Sequence, residues 1–307
     1  QPMGNIAILG GWEIADTRNN RYPLVSGTTR LAWYSNGSWS ALSYVSAYGV
    51  DSAPTGSNTS QWDATQIYFA LRDENLAVLA NGSYQSLYCS QSNTTVFSTL
   101  TGAPPAKYVT AYDNYLFAFN VRDPGSAASE FVQRVQWSDR GSASSWTGGL
   151  AGFEDLLDMR GQGTRIIGQE NRLILFSDAE IWQGFPSDFP SIFRFQPLDR
   201  SVGCPYSWTV VNTPRGILFL ARNLQVYLLP KEGGPAVSVG RPIHRRVRDT
   251  IDAPERAWST YDPNTDQYQL YYAIRGGSGR PQRALYLDLS SGAWAPQSFD
   301  RVGGNLS

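Results

Sequence analysis

Histidine, cysteine and methionine are nearly missing from this chain, which has one His, two Cys and two Met in 307 residues. Those counts remove most catalytic and metal-binding toolkits at once: a Ser-His-Asp relay could use only His244, and a zinc site assembled from several His or Cys is excluded. No metal and no cofactor is expected. Cys89 and Cys204 permit one disulfide without implying it. Charge is sparse as well, at 17% of residues, with Lys+Arg 25 against Asp+Glu 26 and a formal net charge of -1. A dedicated nucleic-acid binder needs a surplus of Lys and Arg on at least one face, so only transient, sequence-blind contact with DNA is expected. No apolar stretch reaches the roughly 18 to 20 residues that cross a bilayer, and Gln1 to Gly11 lacks the charged and apolar regions of a signal peptide. The expectation is a soluble, ordered chain.

What is present is turn chemistry and strand formers: 29 Gly, 18 Pro and a 13% aromatic share describe short strands joined by many turns and argue against a helical bundle. A short apolar run, a polar turn and a second run ending in an aromatic recur six times. The first pairs Leu31–Tyr34 with Trp39–Val45, and the second pairs Leu76–Leu79 with Tyr84–Tyr88 across Asn81-Gly82. The third runs Tyr115–Phe119 and returns at Val132–Trp137; the fourth joins Leu173–Phe176 to Glu180–Trp182. Ile217–Leu220 with Gln225–Leu228 closely copies the fourth, and Tyr268–Ile274 with Ala284–Leu289 makes the sixth. Extended runs at Lys107–Ala111, Arg165–Gly168, Ser207–Val211 and Ala257–Tyr261 would supply inner strands, and Asn5–Leu9 would help close a ring. Repeats about 40 to 57 residues apart have the length of a four-stranded blade. The expected fold is therefore all-β, a single β-propeller domain over residues 1–307 with six four-stranded blades, weighed against a two-layer β-sandwich. Two short helices are expected, over Gly152–Met159 and Ile243–Ile251, from their apolar spacing.

Several motifs invite a chemical reading. Trp137-Ser138-Asp139-Arg140-Gly141 with Trp146 superficially resembles the turn-locking Asp box of sialidases, a structural element in its own right. Glu154, Asp155 and Asp158 lie close enough to converge, and read as a solvated turn beside a helical segment. Gly161-Gln162-Gly163-Thr164 precedes a strand and lacks the Lys of a phosphate loop, so it reads as a blade-to-blade turn. Asn-X-Ser/Thr triplets at Asn36, Asn58, Asn81, Asn93 and Asn305 are near chance, while Ser52–Ser60 and Ser90–Thr101 read as exposed loops. The one concentration of charge is Arg241, His244, Arg245, Arg246 and Arg248, with Arg256 nearby. It reads as a solvated face, or as an interface or lumen-facing positive spot. No catalytic residue is assigned.

From Phe131 to Trp294 the segment order resembles the β-propeller hub or nozzle proteins of short-tailed bacteriophages, the family of tail tubular protein B and the packaged-DNA-stabilisation hubs. The likeness is carried by Val135-Gln136-Trp137-Ser138-Asp139 with Trp146, and by Arg165-Ile166-Ile167-Gly168 leading to Leu173–Phe176 and Ile181-Trp182. Ser201-Val202-Gly203-Cys204 before Trp208-Thr209-Val210, Val239-Gly240-Arg241-Pro242-Ile243, Tyr261-Asp262-Pro263 and Leu285–Asp288 with Trp294 continue it. The resemblance implies a non-enzymatic virion protein of the tail: a homo-oligomeric, commonly hexameric, ring below the head-to-tail connector that retains packaged double-stranded DNA and later passes it. Tail fibres or spikes are further implied partners. This chain lacks the long inserted domains of larger members. The alternatives are a glycan-binding propeller for receptor recognition and a sialidase-like hydrolase.

Overall fold

A computed structural model describes residues 8–16, 20–27, 31–35, 37–41, 43–45, 62–70, 74–80, 88–91, 96–123, 129–188, 191–277 and 281–298. The chain-closing segment Asn5–Leu9 is covered only at its end, and the Asn81-Gly82 turn, the five glycosylation triplets and Ser52–Ser60 lie outside the described residues.

Six sheets follow one another along the chain. The first has β1 (Ile8–Ala15), β2 (Arg21–Gly27), β3 (Leu31–Ser35) and β4 (Ser38–Ala41) in sequential order. The second contains β5 (Ser43–Val45), β6 (Asp63–Phe69), β7 (Glu74–Ala80), β8 (Tyr88–Gln91) and β9 (Val96–Thr99), ordered β5-β9-β8-β7-β6. The third is β10 (Ala106–Tyr112), β11 (Tyr115–Arg122), β12 (Glu130–Trp137) and β13 (Gly152–Asp155), and the fourth is β14 (Gly163–Gln169), β15 (Arg172–Ser177), β16 (Ile181–Pro186) and β17 (Phe193–Asp199). The fifth is β18 (Val211–Thr213), β19 (Gly216–Leu220), β20 (Val226–Pro230) and β21 (Val237–Ser238). The last joins β22 (Ile251–Asp252), β24 (Gln267–Ile274), β25 (Arg283–Asp288) and β26 (Trp294–Ser298), with β23 (Trp258–Asp262) also pairing β24. This run of local, up-and-down sheets is the blade order of a β-propeller.

Four sheets have the expected four strands, and two have five. The expected return strand Trp39–Val45 is broken: β4 closes the first sheet, while β5 leaves it to pair parallel with β9, Tyr44 opposite Phe97. Ser207–Val211 is not one strand but a 3-10 turn, Ser207–Thr209, followed by β18. The inner strand expected at Ala257–Tyr261 is likewise divided, because a 3-10 turn at Pro254–Arg256, entered through Ala253 at φ 47°, separates β22 from β23. The helix expected over Gly152–Met159 is instead β13 and a turn; β12 offers an open edge, and Leu156 N–H continues the ladder onto Gln133 O at 3.3 Å. The second expected helix is present as α1 (His244–Thr250).

The chain packs as two compact units, one of residues 1–158, 166–173 and 184–195 and the other of 159–165, 174–183 and 196–307. In the first unit, Ile67, Val78, Leu116, Ala118 and Trp146 share one apolar core. Polar side chains stitch its successive sheets. The buried Asp63 carboxylate accepts Val109 N–H at 2.9 Å, and Thr65 Oγ1 accepts Ala111 N–H at 3.0 Å, so β6 satisfies donors of the next sheet's leading strand. Gln66 and Asn75 hold the backbone of Ala15 in the same way. In the second unit, Leu218, Leu220, Tyr268, Leu270 and Leu285 form the centre of a separate core.

Candidate interaction surface

Ile243, Val247 and Ile251 recur at helical spacing and are buried in the second unit's core, which fixes α1 by one apolar stripe. The remaining faces of the segment carry Arg241, Arg245, Arg246 and Arg248, all exposed. His244 sits half-buried, its Nε2 at 2.9 Å from Asn223 O, and so has an anchoring contact with the β19–β20 turn. Arg248 Nε donates to Asp249 at 3.0 Å and Arg245 Nε lies 3.6 Å from the same carboxyl, which the Arg248 hydrogen bond holds below the usual carboxylate range. Arg241 and Arg246 have no ion-pair partner among the described residues. The five predicted residues are thus brought together on one short segment, with a single adjacent carboxylate between two of them. Arg256 is exposed on the 3-10 turn after β22.

A second surface gathers on the first unit at β13, the outermost strand of its sheet. Of the three acids noted in the sequence, Asp155 takes both Nε and Nη2 of Arg134 at 2.7 Å, a bidentate pair. The Arg134 guanidinium is stacked 3.7 Å from the Phe131 ring centroid and 4.2 Å from that of Phe153. Glu154 and Asp158 have no hydrogen-bond or ion-pair partner among the described residues. Glu154 lines a surface cavity of about 270 Å³ beside Trp137, Gly152 and Phe193, and burial pushes its carboxyl above the usual carboxylate range. Around these acids, Phe153 is 56% exposed and Leu157 82%. Sequence reasoning missed this surface because it set the segment in a helix, where Phe153 and Leu157 would have faced the core.

The other motifs have structural roles. Ser138 Oγ accepts Leu116 N–H at 3.0 Å, Asp139 Oδ1 accepts Leu150 N–H at 2.9 Å, and Trp146 Nε1 donates to Ala143 O at 2.6 Å, so the box-like segment locks its own turn. Gly163 and Thr164 of the glycine-rich run open β14, and Thr164 Oγ1 donates to Cys204 O at 2.6 Å. Cys204 is a buried free thiol, pushed up to about 12 by burial; the Cys89 side chain lies outside the described residues. Glu180, fully buried, was not singled out by the sequence. Burial raises its pKa, yet hydrogen bonds from Trp182 Nε1 at 2.7 Å and from Arg160 N and Nε at 2.9 and 2.8 Å prevail and leave it below the usual value. Among the described residues, no three His, Cys, Asp or Glu are placed to hold a metal ion, and no helix is long and apolar enough to cross a membrane.

No protein-family model matches the chain, and no curated protein matches it significantly. Solved structures do. The extracellular domain of a hybrid two-component system from B. thetaiotaomicron superposes with TM-score 0.58 at 7% identity, covering 99% of this chain and 34% of its own. This chain therefore spans about a third of that protein's length. A catalytically inactive virginiamycin B lyase from Staphylococcus aureus gives TM-score 0.54 at 8% identity, over 98% of this chain and 88% of that one. AztD from Citrobacter koseri gives 0.51 at 8%, over 94% and 72%. The fold is a β-propeller. At these identities the likeness establishes fold alone.

Proposed function

We propose that this chain is a structural protein of a short-tailed phage tail, a nozzle or hub subunit that assembles into a ring and works as part of a conduit for packaged DNA. The observation that carries the reading is the cationic segment from Arg241 to Arg248, mounted on the core through Ile243 and Val247 with Arg241 and Arg246 unpaired. Exposed guanidinium groups on a rigid mount suit contact with an acidic neighbour better than they suit chemistry. The motifs of the phage-hub resemblance serve this reading too, since Ser138, Asp139, Trp146 and Thr164 hold turns and strand starts through hydrogen bonds. A net charge of -1 fits a conduit that must pass DNA without gripping it. The ring sits on a head-to-tail connector and touches DNA only without sequence preference.

A second reading, glycan recognition, is favoured by the exposed Tyr34 and Trp39, whose ring centroids lie 5.4 Å apart. Electron microscopy of the purified chain with a connector ring separates the two. Closed rings seated on the connector support the conduit; single particles that bind a glycan array and ignore the connector overturn it.

A further inference from the structure

The assembly reading leaves open what the cationic segment touches. The Glu154 surface has three properties that together call for a partner. It holds carboxylates without partners, Glu154 and Asp158, next to the exposed apolar side chains Phe153 and Leu157. It lies on an outermost strand, β13, whose outward backbone groups are not covered by another strand of its sheet. It is preorganised, because Arg134 fixes the inner face of the Phe153 ring and clamps Asp155, leaving the outer side free without further ordering cost.

The α1 region presents the complementary set. Arg241 and Arg246 are exposed and unpaired, and just before them β21, also the outermost strand of its sheet, carries Val237 at 53% exposure. One surface thus offers two free acids beside apolar groups on a sheet edge, and the other offers two free bases beside an apolar group on a sheet edge. Neither surface complements itself, since each repels its own copy by like charge.

We infer that the β13 surface of one copy, Glu154 and Asp158 with Phe153 and Leu157, receives the Arg241–Arg246 segment and Val237 of a second copy in a head-to-tail contact. Each copy then uses both surfaces, once as donor and once as acceptor. That is the heterologous arrangement from which rings close. The inference rests on the assembly reading above and specifies the faces through which it is realised.

Charge reversal tests it on the full chain. Glu154→Arg with Asp158→Arg makes one variant and Arg241→Glu with Arg246→Glu the other, all at exposed or half-buried surface positions, with circular dichroism melts to verify folding. Sedimentation velocity of each variant alone is expected to show association weakened by roughly tenfold or more relative to wild type. An equimolar mixture of the two is expected to recover wild-type assembly, because every junction again pairs acid with base. The neutral pair Glu154→Gln with Asp158→Asn is expected to weaken association less than the reversal. If both reversed variants assemble as well as wild type, or if the folded mixture fails to recover, this contact is overturned while the assembly reading stands. A wild-type chain that remains monomeric overturns the assembly reading and this contact with it.

Discussion

Glu180 shows how a buried charge is kept in a molecule with so few of them. Its carboxylate is the acceptor for a buried indole N–H and for two donors of Arg160, so truncation to Ala strands the Trp182 N–H and is expected to cost about 2 kcal/mol, read by urea unfolding. Because the folded-state pKa lies below the ordinary Glu value, the stabilisation is complete above that value and is lost as pH falls through the folded one. The stability gap between wild type and Glu180→Gln should therefore narrow between about pH 6 and about pH 3. Gly203 tests close approach instead of charge. A Cβ there would lie 2.4 Å from Ala179 N and 2.5 Å from Glu180 N, backbone atoms that cannot swing aside, so Gly203→Ala should destabilise by at least about 2 kcal/mol. Neither residue's role was legible in the sequence: the glycine was visible as part of a motif, but the backbone it meets lies more than twenty positions earlier. Cys204 gives a third residue-scale expectation. With its thiol pushed up to about 12, it should resist a thiol reagent at about pH 8 in a folded Cys89→Ser variant and react only on unfolding.

At the scale of elements, α1 and the segment Gly152–Met159 carried similar sequence signals and came out differently. In α1 the apolar residues Ile243, Val247 and Ile251 extend over two turns and meet a core that can receive them. Between Gly152 and Met159, Phe153, Leu156 and Leu157 make one turn's worth of pattern, and the open edge of β12 captures the first four residues as a strand, leaving only Leu156 of the three buried. The hairpins Leu173–Phe176 and Ile217–Leu220 were readable because their strands are continuous apolar runs, buried along their whole length, bounded by polar turns. The split of Trp39–Val45 was not, since the parallel partner β9 is a long-range choice that local alternation does not encode. If the apolar stripe is what mounts the cationic segment, Val247→Ala should cost about 1 to 2 kcal/mol and Val247→Asp considerably more, whereas Arg245→Ala should stay within about 0.5 kcal/mol in thermal melts.

For the whole molecule, repeat length carried the fold: six sheets appear in chain order, and distant propellers of bacterial origin share the architecture at identities of 7 to 8%. The cationic segment was visible from composition alone, while its acidic counterpart was hidden by the mistaken helix. Function at this scale depends on copies acting together, because the reading assigns the chain contact surfaces and no reaction. The most direct measurement is the native mass of the purified full chain across about 1 to 50 µM, concentrations that bracket ordinary assembly affinities. The account predicts one discrete closed oligomer, stable to dilution and broken by high salt if ion pairs at its junctions contribute. A chain that keeps the mass of a single copy throughout that range would contradict it.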